Sequence, residues 1–440
     1  MKRSISFLFF LFSCVLFAKA QELVTVEQVV SIALQKNYDV RLFENSAALA
    51  INDNRYAFGA FLPALNATGS YVKGSNNARV VKFDNSERVS PAAITTNTNA
   101  GIQLIWTLFD GTKMFATRGR ISKLAELGAI NVKNQMVNSA AIVIATYYGI
   151  VRQKQQLKAI VEQMSVSEER VKLAERKLQV GTGGKPELLQ AKVDLNAFRT
   201  AKLQQETLIQ QLKDQLNSLL GMGLPDTFET ADSIPIDLTL DFGQITSNIE
   251  NTNQQLASVR KNIEVMKQTL KENRAGRSPI INFVSNYNFI QRQENEVEVQ
   301  LGVTPKVNEN KGYNFGLNAT LPIMNGMNVN RLIGQSKVNI ERQKLIYDQQ
   351  LTIALVGVRI AYTSYQNAIQ VLRIEEENSV LAKENVTIAL EGFRRGITTF
   401  IELRTAQQSL ADAFNRLIAA RYNAKISETE LLRLQGSLVN

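Results

Sequence analysis

Histidine is absent from all 440 residues. Its absence removes the commonest general base, the Ser-His and Cys-His nucleophile pairs, and the commonest metal ligand. Cysteine occurs once, at Cys14, so the chain beyond the N-terminal stretch needs no disulfide even on an export route that permits one. No glycine-rich phosphate loop follows a strand pattern. Gly181-Thr182-Gly183-Gly184 lies between two helical patterns and lacks the Lys-Ser/Thr ending. No carboxylate pair stands apart from the ordinary charged helix faces. These absences argue against an enzyme and leave no cofactor or metal to expect. Acid and base are unbalanced, with a formal charge of +10. Yet the lysines and arginines are scattered among Glu and Gln rather than clustered with aromatics. That distribution reads as solvated helix surface, not as a nucleic-acid footprint.

The start has the form of a secretory signal. Lys2 and Arg3 are followed by an apolar stretch from Ile5 to Phe17 and by Ala18-Lys19-Ala20, which predicts cleavage before Gln21. The stretch is too short for a membrane-spanning helix, which needs about 20 residues. Cys14 admits a second reading as a lipoprotein acceptor. Against it, Phe12 is bulky for that role and the apolar run continues through Val15-Leu16-Phe17. Without residues 1–20, which carry Lys2, Arg3, Lys19 and no acid, the formal charge falls to +7.

What remains says nearly the same thing twice, at an offset of 215 residues. Asp110-Gly111 returns as Asn325-Gly326. Gly181, Glu187, Leu188 and Ala191 return as Gly396, Glu402, Leu403 and Ala406. Leu216 and the Leu219–Gly221 stop return as Leu431 and Leu434–Gly436. Pro63 and Tyr71 match Pro279 and Tyr287 at an offset of 216. So long a period exceeds the ~20–50 residues of a solenoid repeat and means two copies of one large unit. The expected division is a signal peptide over 1–20, a first repeat over 21–220, a linker over 221–242 and a second repeat over 243–440.

Within each copy the hydrophobic period changes. Thr25 with Gln28 is a capping-box signature for a helix that loosens near Asn37, resumes to about Phe61 and stops at Pro63. Strict alternation follows near 65–72 and 98–108, and again near 281–290 and 313–321. Ala100, Ile102, Leu104, Trp106 and Leu108 alternate with Asn99, Gly101, Gln103 and Thr107, while Phe283, Tyr287 and Phe289 alternate with Asn282, Asn286 and Asn288. Period two of this length fits a soluble sheet with one buried face. That is the more frequent origin of such a pattern, but the Asn, Gly, Ser and Thr on the polar side, suited to a wet lumen, and the lack of an apolar helix to cover the sheet favour transmembrane barrel strands. The stretches between paired strands, Lys73–Thr96 and Gln291–Gly312, are polar and read as exposed loops. Four strands cannot close a membrane barrel, for which about eight is the minimum. Either there is no membrane barrel, or several chains share one.

The rest is helix. Patterns over 112–180 and 327–395 run without proline, and at about 1.5 Å per residue each would reach roughly 100 Å. A Gly turn and a return helix follow each, over 186–220 and 401–435. In the last helix Ala406, Leu410, Ala413, Leu417, Ala420 and Ala424 are spaced alternately by four and three, a coiled-coil seam. Lys202 and Gln205 interrupt that seam in the first copy.

The order of these pieces, performed twice, resembles the TolC family of outer-membrane efflux proteins. The likeness covers essentially the whole chain after residue 20. It is most specific at "VGTGGKPELLQA" with "LLG" beyond it, at "RRGITTFIELRTAQQSL", and at the paired "WTLFDG" and "LPIMNG". The resemblance implies a mainly α membrane protein of mixed α/β class. Long coiled-coil hairpins would form an α-barrel tube across the periplasm. Four transmembrane strands per chain would enter a shared twelve-strand barrel in a homotrimer. The implied role is a passive exit duct for an inner-membrane pump of RND, ABC or MFS type, reached through a periplasmic adaptor. A competing class, a non-pore periplasmic or surface coiled-coil structural protein, explains the helices and the secretion signal but not the four amphipathic strands.

Carried onto this sequence, the likeness places adaptor docking at the hairpin tips, Gly181, Thr182 and Gly183 with Gly396, Ile397 and Thr398. It places Glu402 at the periplasmic aperture, where three copies would form a carboxylate ring. The family's second acid is Thr405 here, with Arg404 between, so the ring would be weaker or differently paired. Glu402 and its counterpart Glu187 serve equally well as first-turn acids favoured by the helix dipole. Tyr71, Trp106, Phe283, Tyr287, Phe289, Tyr313 and Phe315 would face lipid. Tyr147, Tyr148, Tyr362 and Tyr365, all mid-helix, read as packing residues. Cargo is not specified by any of these residues.

Overall fold

The computed structural model describes residues 23–81, 83–225, 227–294 and 307–439. The expected signal peptide with Cys14, and part of the expected loop Gln291–Gly312, lie outside them. The chain enters through β1 (Leu23–Val24), α1 (Val26–Lys36) and α2 (Tyr38–Tyr56), closed by a 3₁₀ turn at Ala57–Phe61. It continues through β2 (Ala64–Val81), β3 (Glu87–Phe109), α3 (Lys113–Gln179) and α4 (Lys185–Leu219). After β4 (Glu229–Thr230) the series is repeated as α5 (Phe242–Thr252), α6 (Gln254–Ala275), β5 (Ile280–Glu294), β6 (Val307–Thr320), α7 (Asn328–Arg394) and α8 (Phe400–Gln435). Helices α3 and α7 are 67 residues each.

Two expectations change. The strands are longer than the alternating runs and take in much of both supposed loops, because β-pairing continues wherever polar Asn, Ser and Thr can still extend. The supposed linker 221–242 is structured as well. Its β4 pairs in parallel with β1, and Phe228 and Ile234 are buried in the same core as Val29, Val143 and Leu216. Tyr147 fastens that core, donating to Val24 O at 2.8 Å and accepting from Ala231 N at 3.0 Å. Burial raises its phenol pKa and pushes that of Tyr148 up to about 12.

The chain forms two compact units, and each draws on both copies. Among the described residues, one gathers Leu23–Ala47, Gly128–Val259 and Tyr347–Val439; the other is drawn from Ala48–Leu127 and Arg260–Ile346. In the first unit α3 packs on α8. The expected seam is there, with Ala406, Leu410, Ala413, Leu417, Ala420, Ala424 and Leu431 all buried. Gln205, which breaks the seam in the first copy, is buried too and donates to the Gln153 side chain at 2.7 Å.

The second unit is a four-stranded antiparallel sheet of order β2-β3-β5-β6, beside helical segments clamped by ion pairs. Arg120 grips Glu272 at 2.9 Å, and Lys261 bridges Glu126 and Glu264 at 2.8 and 3.0 Å.

One device recurs at the close of each copy. Asn37 caps α2, its Oδ1 accepting from Asp39 N and Val40 N, while its Nδ2 donates to Leu219 O at 2.8 Å. Asn253 does the same 216 residues on, accepting from Leu256 N and donating to Leu434 O at 2.9 Å. Beside them Gly221 and Gly436 take φ of +59° and +80°, where a Cβ would meet Lys36 O at 2.8 Å and Thr252 O at 2.4 Å. Only glycine fits so close to a carbonyl. Because each asparagine pairs backbone groups of two helices at once, Asn37→Ala and Asn253→Ala are each expected to cost about 1–3 kcal/mol. Thermal unfolding of the purified protein measures it; an unchanged midpoint in both variants would refute the capping role.

Candidate functional site

Two features are placed by the fold, one in each unit. The first is the pair of hairpin tips. α3 ends at Gly181 (φ +77°) and α7 at Gly396 (φ +76°), both left-handed. Orphan helix carbonyls are met by the turns: Lys177 O accepts from Thr182 N at 2.9 Å and Gly183 N at 3.0 Å, and Gly392 O from Ile397 N at 2.9 Å and Thr398 N at 3.2 Å. Ile397 is 78% exposed and Val180 72%, so each tip presents an apolar residue to solvent.

The return helices then diverge. Thr399, the N-cap of α8, accepts from Glu402 N at 3.2 Å, and Glu402 Oε2 accepts from Thr399 N at 2.7 Å and its hydroxyl at 3.0 Å. These bonds to the charged form hold the Glu402 carboxyl below the usual carboxylate range. The equivalent N-cap of α4 is Gly184, which makes no side-chain bond, so Glu187 has no such partner at its cap. The dipole reading therefore describes Glu402 fully as far as one chain goes. The same residue lines a groove of about 480 Å³ with Thr405, Ser409, Asn385 and Ile388. Glu187 is not part of it. Arg404 turns away to Asp194 at 3.3 Å.

What the sequence reading missed is the group behind Arg404. Arg170 on α3 is 1% exposed and donates to Gln407 Oε1 at 2.7 Å and Asp194 Oδ2 at 2.5 Å. Its guanidinium lies 5.0 Å from the Phe400 ring centroid. The signal was available: Gln163, Ser167 and Arg170 recur at four and three residues, a polar line at seam spacing.

The second feature is the sheet. Its register puts all seven expected aromatics on one face. Trp106 stands opposite Phe283, Ala100 opposite Phe289, and Tyr287 opposite both Ile102 and Tyr313. Phe315 faces Ser285 and Tyr71 faces Thr98. Tyr71, Tyr313 and Phe315 are 69%, 77% and 71% exposed, whereas Phe283 and Phe289 are half covered by their neighbours. Carboxamides and hydroxyls line the other face, where Asn99 donates to Ser70 Oγ at 3.1 Å and Asn286 to Asn314 Oδ1 at 3.0 Å. The outer edges of β2 and β6 have no partner strand among the described residues. Among those residues no helix is long and apolar enough to cross a membrane.

The chain belongs to the outer membrane efflux protein family, whose profile matches residues 29–222 and 245–437, one span in each repeat. TolC of Escherichia coli is 18% identical over 425 residues, covering 96% of this chain and 84% of that protein. The alkaline protease secretion protein AprF of Pseudomonas aeruginosa is 20% identical, over 64% of this chain and 58% of its own length. The fold matches the outer-membrane protein VceC of Vibrio cholerae with a TM-score of 0.74 at 16% identity, covering 93% and 96% of the two chains. It matches the CmeC outer membrane channel of Campylobacter jejuni with 0.75 at 18% identity, covering 94% and 85%.

The Thr399–Glu402 box carries a pH prediction. A carboxyl whose folded pKa is depressed contributes fully above its ordinary value of 4.5 and loses the contribution as pH falls through its lowered one. Hydrogen exchange over the first turn of α8, corrected for intrinsic rates, is expected to speed up below that pH. It should be fast at every pH in Thr399→Val, and a variant as protected as the parent would sink the assignment.

Proposed function

We propose that this chain is a passive exit duct of the outer membrane, serving an efflux or type I secretion system as a homotrimer. The observation that carries it is the sheet: one aromatic face, one carboxamide face and two bare edges. In hydrocarbon an unpaired edge is not tolerated, so β2 of one chain must meet β6 of another. Three chains supply twelve strands, with the aromatics to lipid and the asparagines to water.

The helices support the same closure. α3 of the first hairpin already packs on α8 of the second, leaving α4 and α7 as the borders. On α4, Leu189, Val193 and Leu203 remain exposed, and on α7, Ile353, Val356, Ile360, Val371, Ile374 and Leu381. These lie close to heptad spacing. The two borders differ, so contact is head to tail, and such an interface closes into a ring. In that ring the tips at Gly181–Gly183 and Gly396–Thr398 would receive a periplasmic adaptor linking the duct to an inner-membrane pump. Glu402, with Thr405 beside it, would line the aperture. The named relatives include a protease secretion protein as well as TolC, which supports a role in secretion as readily as in efflux.

Two measurements test this. Single-channel recording in planar bilayers should give stable unitary currents, with cation preference reduced in Glu402→Gln. Currents unchanged by that substitution would remove Glu402 from the aperture; a protein that stays soluble without detergent and never inserts would overturn the duct. Native mass spectrometry should show a trimer that Val193→Asp with Ile360→Asp dissociates at least tenfold more readily, and a monomeric parent would refute the closure.

A further inference from the structure

The contact between α3 and α8 near the tips carries a buried polar line beside apolar Val166 and Leu173. Gln163, Ser167 and Arg170 occupy positions i, i+4 and i+7 of α3, one helix face, and are 2%, 0% and 1% exposed. Gln407 of α8, 5% exposed, meets them through its Oε1, which accepts from Arg170 Nη1 at 2.7 Å. Asp194 takes Arg170 Nη2 at 2.5 Å and the guanidinium of Arg404 at 3.3 Å, and accepts from Gln190 Nε2 at 2.8 Å. One carboxylate thus answers two guanidiniums, and the cluster keeps a net charge of +1. Burial lowers the Arg170 pKa, against the Asp194 carboxylate, which raises it.

Four buried groups have no hydrogen-bond partner after these bonds are made: Arg170 Nε, Gln407 Nε2, Ser167 Oγ and the Gln163 amide at both its nitrogen and its oxygen. Three of them share one face of α3, and Gln407 joins that face through its bond to Arg170. A helical side chain sweeps back toward the N-terminus, so the Arg170 Nε–H lies over the turn that carries Ser167. The Gln407 amide is anchored on the same guanidinium, which keeps its NH2 within a few ångströms. The Gln163 amide can turn its NH2 toward the group, since oxygen and nitrogen in such amides are interchangeable by a flip. Buried donors in this number call for a ligand or an ordered water.

We infer that this seam binds one small monovalent anion of halide size, held by Arg170 Nε, Ser167 Oγ and the amide groups of Gln407 and Gln163. Arg170 Nε, Gln407 Nε2 and Gln163 Nε2 can only donate and Ser167 Oγ can donate, and the two guanidiniums over one carboxylate select an anion over a cation, with Gln163 Oε1 turned away from it. A water would satisfy hydrogen bonds but leave the charge. Bound there, the ion ties α3 of the first copy to α8 of the second. The site stands on the packing of a single chain, so it holds whether or not the assembled protein conducts.

The test uses the full-length protein purified in detergent, with bromide as the probe. Crystals grown in sodium bromide should show an anomalous peak touching Ser167 Oγ and Arg170 Nε. Exchange of chloride for gluconate at constant ionic strength should lower the unfolding midpoint by about 2 °C. Ser167→Ala and Gln407→Leu should each abolish that difference. If Gln407→Leu does not fold, Ser167→Ala, the smaller change, carries the comparison. Ordered water without anomalous signal at the seam, while bromide is seen elsewhere, overturns the inference. So does a chloride dependence that both variants retain.

Discussion

An unpaired strand edge in hydrocarbon is the constraint on which the rest of this architecture depends. Each bare N–H and C=O costs several kcal/mol away from water, and β2 and β6 each present a row of them. No single chain can remove both, because the sheet is four strands wide and its aromatic face is uncovered. In the proposed assembly, closure comes from other copies of the same chain. The proposed ring makes a demand on the helices too, since α4 of one chain would have to meet α7 of the next. The exposed stripes on α4 and α7 have the character such a contact requires. The internal duplication suits this arrangement, since a ring of near-identical helix–strand–strand–helix units is easiest to build from a unit already made twice.

Duplication did not leave the copies equal. Position 184 and position 399 are equivalent, but one is glycine and the other threonine. That difference alone decides whether the acid three residues on is gripped or left to its surroundings. The seam shows the same drift. α8 keeps Ala and Leu throughout, while α4 admits Lys202 and a buried Gln205 that must find its partner on Gln153. Pseudo-symmetry therefore survives at the backbone, in the paired asparagines and glycines that end each copy, and relaxes at the side chains that set local chemistry.

Much of the fold was legible because its signals are periodic. Alternation marked the strands, the Thr25–Gln28 box opened α1, Pro63 closed the α2 region, and α3, α4, α7 and α8 end within a residue of where the patterns stop. The rest was hidden for physical reasons. The outer halves of the strands carry Asn, Ser and Thr on both faces, so they lack the apolar alternation that marks a half-buried strand; pairing, not burial, extends them. Residues 221–242 looked like a linker because two prolines interrupt them, yet β4 needs only two residues opposite Leu23 and Val24. At the tips the resemblance supplied Glu402 but not Asp194 or Arg170, whose significance lies in a contact between helices that are distant in sequence.

The sheet's polar face bears on where any selectivity can arise. From Asn66 to Ser70 and across their partners it is a surface of Asn66, Asn99, Asn286, Asn288 and Asn314 with Thr68, Ser70 and Gln103, groups without net charge, and Arg292 opposite Asn97 adds a cation farther along the same face. Facing the lumen of the proposed barrel, the uncharged part of this wall would favour neither sign of ion and bind no one solute strongly. Any discrimination must then fall to narrower places or to the pump that feeds the duct. In the proposed ring the narrow place is the tip, where one carboxylate per copy is already engaged by its own threonine. A Glu402 held ionised by that box stays charged at a pH where a free carboxylate would begin to neutralise. The capping role therefore supports the proposed aperture role: the bonds that start α8 also keep the charge that a ring of three would need.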